Sequence, residues 1–99
     1  MSTKYSSKKL EADFGPLTFG DLLLLQREDM ELTQVQMAKK LGISKQQLCD
    51  FEKGRRFPSA KAASTWAKKL GHPQEVWVQT VLQDQLNRDK LKLKVSVAS

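Results

Sequence analysis

Residues 33–54, Thr33-Gln34-Val35-Gln36-Met37-Ala38-Lys39-Lys40-Leu41-Gly42-Ile43-Ser44-Lys45-Gln46-Gln47-Leu48-Cys49-Asp50-Phe51-Glu52-Lys53-Gly54, spell out two short helices joined by a tight turn. Thr33 can accept an N–H of the turn that follows it, which starts a helix over 34–41. Met37, Ala38 and Leu41 recur at three- and four-residue steps and share one face. Lys39 and Lys40 suit the negative C-terminal end, and Gly42 tolerates the positive φ of a helix stop. Ile43 stands alone before a second N-cap, Ser44, and a helix over 45–53 whose inward pair is Leu48 and Phe51. Gly54 ends it. Ala38 is small where two helices cross closely, at about 90–120° in such a motif. With Leu48 and Phe51 facing inward, the opposite face, Ser44-Lys45-Gln46-Gln47 and on to Asp50, projects into solvent.

On the N-terminal side, Thr18 is an N-cap with Asp21 three residues on, a shortened capping box that opens a helix over 19–30. Glu28, Asp29 and Glu31 carry the wrong charge for a helix C-terminus, so fraying is expected there. Residues 1–14 are polar, with Lys4, Lys8 and Lys9, and Gly15-Pro16 punctuates the chain. On the C-terminal side, Arg55-Arg56-Phe57-Pro58 is a basic connector. Ser59 caps a helix over 60–70 with Ala63, Trp66, Ala67 and Leu70 inward. Gly71-His72-Pro73 breaks it, and Pro73 suits a first helical position. A fifth helix over 74–87 carries the stripe Val78, Val81, Leu82 and Leu86, with Trp77 beside it. Leu91-Lys92-Leu93-Lys94-Val95-Ser96-Val97 alternates apolar and polar, a strand signature that needs a partner strand. The expected organisation is a basic N-terminal arm (1–16), a helix-turn-helix domain (17–71) and a C-terminal helix with a strand-like tail (72–99).

The whole chain has 99 residues, 39% hydrophobic and 28% charged, and a formal net charge of +6. That is one domain's worth, with no room for a separate catalytic domain, and its basic balance points to an anionic partner. The longest apolar run, Leu22-Leu23-Leu24-Leu25, falls far short of the roughly 20 residues a membrane span needs. The polar opening does not read as a signal peptide, and one cysteine fits a reducing cytoplasm. One cysteine and one histidine give no metal set, and neither a nucleophile triad nor a phosphate-cradling glycine loop is present, so no metal, cofactor or enzymatic activity is expected. Cys49 reads as a semi-exposed filler, His72 as a loop residue, and Asp21, Glu28, Asp29 and Glu31 as a solvated face.

The series Leu32-Thr33-Gln34 … Met37-Ala38 … Leu41-Gly42-Ile43-Ser44 … Leu48 … Phe51-Glu52-Lys53-Gly54-Arg55 … Pro58 resembles the helix-turn-helix of the phage-repressor (Cro/CI, Xre-like) family. The resemblance covers about half the chain. It implies an all-α, five-helix repressor-like fold with a C-terminal extension able to form a short β-strand. It also implies base contacts from Lys45, Gln46, Gln47 and Asp50, and backbone contacts from Thr33, Gln34, Ser44, Lys53, Arg55 and the neighbouring Arg56. Phosphate contacts set register and base contacts set preference. Asp50 departs from what phosphate favours: an acid can accept from a cytosine amine or orient a neighbour. A structural ion pair between Arg27 and Glu52 is implied as well. In the first helix, Gln26 falls where the family has a leucine, and Leu22, Leu24 and Leu25 fall where exposed charges are usual. Either the helix packs in a different register or an apolar strip is left outside, and exposed strips of this kind tend to mark interfaces.

Two functions follow as expectations. One is a sequence-specific DNA-binding transcriptional regulator, a repressor, acting as a homodimer on double-stranded DNA with the third helix in the major groove. The other is the antitoxin of a HigA-type toxin–antitoxin pair, which grips a small toxin protein and represses its own promoter. The expected dimer or partner surface is Trp77, Val78, Val81, Leu82, Leu91, Leu93 and Val95. Neither reading involves a membrane.

Overall fold

The computed structural model describes residues 17–91 and 93–97; the expected basic arm lies outside them. The fold is all-α, with α1 (Phe19–Asp29), α2 (Gln34–Leu41), α3 (Lys45–Glu52), α4 (Ala60–Leu70) and α5 (Gln74–Arg88). Local chemistry starts each helix. Thr18, Thr33 and Ser44 form reciprocal capping boxes with Asp21, Gln36 and Gln47, and the Ser59 hydroxyl accepts the Ala62 N–H. Each pair satisfies two of the backbone donors that a helix start leaves orphaned. Pro73 sits at the N-cap of α5, not inside the first turn as expected, and makes no side-chain cap bond.

All five helices close by one device, a residue in the left-handed region followed by an N–H that reaches back across the last turn. Gly42, Gly54 and Gly71 supply it for α2, α3 and α4, and Glu31 and Lys90 for α1 and α5. The end of α1 was expected to fray. Instead Leu32 N–H donates to the Arg27 carbonyl at 3.1 Å and Glu31 N–H to that of Glu28 at 3.0 Å. The packing of Leu32 against the core offsets the cost of left-handed backbone at a glutamate.

A single core joins Phe19, Leu22 and Leu23 of α1, Met37, Ala38 and Leu41 of α2, Leu48 of α3, Ala63, Trp66 and Ala67 of α4, and Trp77 and Val81 of α5. Phe19 links the two tryptophans, 6.2 Å from Trp66 and 5.7 Å from Trp77 by ring centroid. Of the two arrangements open to the leucines of α1, Leu22 follows the shifted register and is buried with Phe19 and Leu23, while Leu24 and Leu25 are half-buried. The inward stripe of α5 is Trp77, Val81 and Asp84; of the expected stripe Val78, Val81, Leu82 and Leu86 it keeps Val81 and is rotated toward Trp77. Asp84 is buried because its carboxylate accepts the Phe19 N–H at the start of α1, at 3.4 Å, and a bond from Arg88 at 3.2 Å.

The expected C-terminal strand does not form among the described tail residues. The tail returns along α5 instead. The Gln83 side chain donates to the Leu93 carbonyl and accepts the Val95 N–H, both at 2.8 Å, so one carboxamide does for the tail what a neighbouring peptide does for a strand.

Candidate nucleic-acid interface

Three contacts hold α3 from behind. Leu48 is completely enclosed. Phe51 meets the Trp66 ring edge-on at 5.3 Å. Gly20 lets the start of α1 approach the end of α3 so closely that a Cβ there would lie 2.6 Å from the Phe51 carbonyl oxygen. Gly42 and Ile43 fix the turn before α3: Ile43 packs against the core, and Lys69 of α4 donates to the Leu41 carbonyl at 3.3 Å.

Two carboxylates on α3 each gather one arginine and one glutamine. The inner one is Glu52. It receives Arg27 Nε at 2.7 Å and Nη2 at 3.3 Å, and Gln34 Nε2 at 2.9 Å. Arg27 also donates to the Leu32 carbonyl at 3.1 Å, so this cluster ties α1, the loop after it, α2 and α3 together. The outer carboxylate is Asp50. Its Oδ1 accepts Gln46 Nε2 at 3.0 Å and Arg55 Nε at 3.2 Å. Asp50 is therefore occupied with its neighbours, and Arg55 lies beside Cys49 Sγ at 3.7 Å.

Lys45 and Gln46 are exposed on the first turn of α3. Gln47, expected beside them, spends its carbonyl oxygen on the Ser44 N–H, while Ser44 Oγ accepts the Gln47 N–H. Thr33 is bound up in the same way with Gln36. Lys53, Arg55 and Arg56 are exposed around the end of α3. Of the expected partner surface, Trp77 and Val81 are 1% and 6% exposed and belong to the chain's own core. Leu91 and Leu93 are exposed, and Val78, Leu82 and Val95 are half-buried.

Sequence reasoning missed the Asp84–Arg88 pair. The Arg88 guanidinium also covers the Phe57 ring at 3.5 Å. The four-residue spacing of an acid and a base on one helix was the available signal. A cleft of about 340 Å³ lies between these residues, the start of α1 and the end of α3.

An anchored short helix after a tight turn, with polar side chains on its free face and exposed cations at its far end, is a helix-turn-helix DNA-binding module. The chain belongs to the Cro/CI-type helix-turn-helix family, which it matches over residues 23–76. It is 38% identical over 64 residues to the ImmF control region 10 kDa protein of Bacillus phage phi105, covering 65% of this chain and 71% of that protein. An uncharacterized HTH-type transcriptional regulator of Methanocaldococcus jannaschii is 50% identical over 40 residues, 40% of this chain and 61% of that one. Another, from Methanothermobacter thermautotrophicus, is 32% identical over 59 residues, 58% of this chain and 86% of that one. No solved structure matches. Among the described residues no helix is long and apolar enough to cross a membrane.

Proposed function

We propose that this protein is a sequence-specific transcriptional repressor in the cytoplasm that binds double-stranded DNA as a homodimer, with α3 of each copy in the major groove. The supporting observation is that α3 is fixed from behind by Leu48, Phe51 and Glu52 while Lys45 and Gln46 are exposed in front. The phage control-region protein and the HTH-type regulators among its relatives support regulation of transcription. Gln46 offers a donor and an acceptor suited to adenine, and Lys45 a donor suited to guanine. Lys53, Arg55 and Arg56 take phosphates, joined by the N–H groups at the starts of α2 and α3 and by the Gln34 amide.

The roles separate experimentally. On an operator selected from random DNA, Gln46→Ala is expected to weaken the cognate site selectively. Lys53→Ala, at an exposed cation after α3, is expected to weaken all sequences alike and to lower the salt slope by about one unit. If the two variants behave identically in a gel-shift series, the assignment of reading and backbone roles is wrong.

One short helix reads too few bases for useful specificity, so two reading heads about 34 Å apart are needed. Leu91 and Leu93, 47% and 62% exposed, are the apolar side chains on the tail that a second copy would cover, with the half-buried Val78, Leu82 and Val95 as further members of the surface. Asp in place of both leucines is expected to halve the mass measured by sedimentation equilibrium and to weaken operator binding, with helical content unchanged. A dimer of undiminished stability would place the interface elsewhere. Recovery of the wild-type chain with a small partner protein would favour the antitoxin reading.

A further inference from the structure

We propose that Asp50 is a positioning residue that sets which base Gln46 accepts, by fixing the orientation of the Gln46 carboxamide. This deepens the DNA-reading role proposed above and rests on it.

A carboxylate oxygen accepts and cannot donate, so the Gln46 amide must turn its nitrogen, not its oxygen, toward Asp50 Oδ1, 3.0 Å away. One N–H is thereby spent. What remains for a ligand is the carbonyl Oε1 and the second N–H. That pair complements adenine, whose major-groove edge offers a donor at N6 and an acceptor at N7. Guanine offers two acceptors, O6 and N7, and would set one of them against Gln46 Oε1. An unrestrained glutamine can turn its amide to relieve that clash, whereas one held by Asp50 cannot do so without losing its bond.

Arg55 completes the device. Its Nε donates to the same Oδ1 at 3.2 Å, and the backbone N–H groups of Arg55 and Arg56 donate to the Asp50 carbonyl at 2.8 and 3.2 Å. The aspartate is thus held at both ends, by the chain that follows α3 and by its own guanidinium partner. The Arg55 side chain is 57% exposed, so it can meet a phosphate while still touching Asp50. Backbone contact and base choice are coupled through one oxygen atom. An acid on a DNA-facing helix costs general affinity through repulsion of phosphate, and selectivity is what it returns.

The experiment is selection of bound sites from random duplex DNA by the full chain, as wild type, Gln46→Ala, Asp50→Ala and Asp50→Asn, with relative affinities then measured on single-base variants. The position at which Gln46→Ala loses its preference marks the base that Gln46 reads. At that position the wild type is expected to prefer adenine over guanine by tenfold or more, and Asp50→Ala to reduce this to about twofold, with binding to unrelated DNA undiminished. Asp50→Asn should restore most of the preference, because its carbonyl can still accept from Gln46 while Arg55 holds it in place. A merely structural role for Asp50 would lower affinity for all sites together. The inference is overturned if Asp50→Ala keeps the wild-type preference, or if the base marked by Gln46→Ala is not adenine. A wild-type chain that enriches no sequence overturns the DNA-reading role itself.

Discussion

Glu52→Ala is expected to cost about 3–5 kcal/mol of folding free energy, because it strands a charge inside the fold. The Glu52 side chain is 4% exposed and that of Arg27 17%. Removing the carboxylate leaves the guanidinium without either of its bonds to Glu52 and the Gln34 amide without its acceptor. A domain of this size has roughly 5–15 kcal/mol in total, so the loss approaches the whole of the lower figure. With a urea slope of about 1–3 kcal/mol per molar, the unfolding midpoint should fall by a molar or more. Replacing both partners with apolar residues, Arg27→Met with Glu52→Leu, should cost far less, since no charge is then left unpaired. A Glu52→Ala midpoint within the error of wild type would show that the cluster does not lock α1 and α2 to α3.

Gly20→Ala is expected to destabilise the fold even though alanine is the better helix former. In an open helix interior the exchange gains about 1 kcal/mol. Here the new Cβ would sit 2.6 Å from the Phe51 carbonyl oxygen and 2.8 Å from that of Glu52, both backbone atoms that no side-chain rotation can move away. Overpacking of this kind costs about 1–3 kcal/mol. The shift would fall on the end of α3, so DNA affinity should drop as well, at temperatures where the variant is still folded. Thermal unfolding at or above the wild-type midpoint would contradict the close approach of α1 to α3.

The helix boundaries were readable because their signals are local. A Thr or Ser with Asp or Gln three residues on marks three of the starts, and a glycine marks three of the ends. What escaped has causes that residue type does not carry. Glu31 and Lys90 adopt glycine-like backbone because the residues after them gain packing or hydrogen bonds, which no turn propensity records. Asp84 on α5 has its partner, the Phe19 N–H, 65 positions away. The need for Gly20 comes from the Phe51 carbonyl beside it, 31 positions away in the chain. The alternating tail carried a true extended pattern, but a strand needs an edge, and the chain offers it the Gln83 carboxamide. On the reading face, residue types indicated Lys45 and Gln46, while the occupation of Gln47 by the Ser44 cap and of Asp50 by Gln46 and Arg55 depends on rotamers that spacing does not reveal.

Methylation interference on the selected operator tests most directly whether α3 enters the major groove. Methyl groups on guanine N7, which lies in that groove, should block binding in two patches about 34 Å apart on one face of the duplex, while methyl groups on adenine N3 in the minor groove between them should not. Interference confined to the minor groove, or a single major-groove patch with no symmetric companion, would contradict the docking of two copies through Lys45 and Gln46.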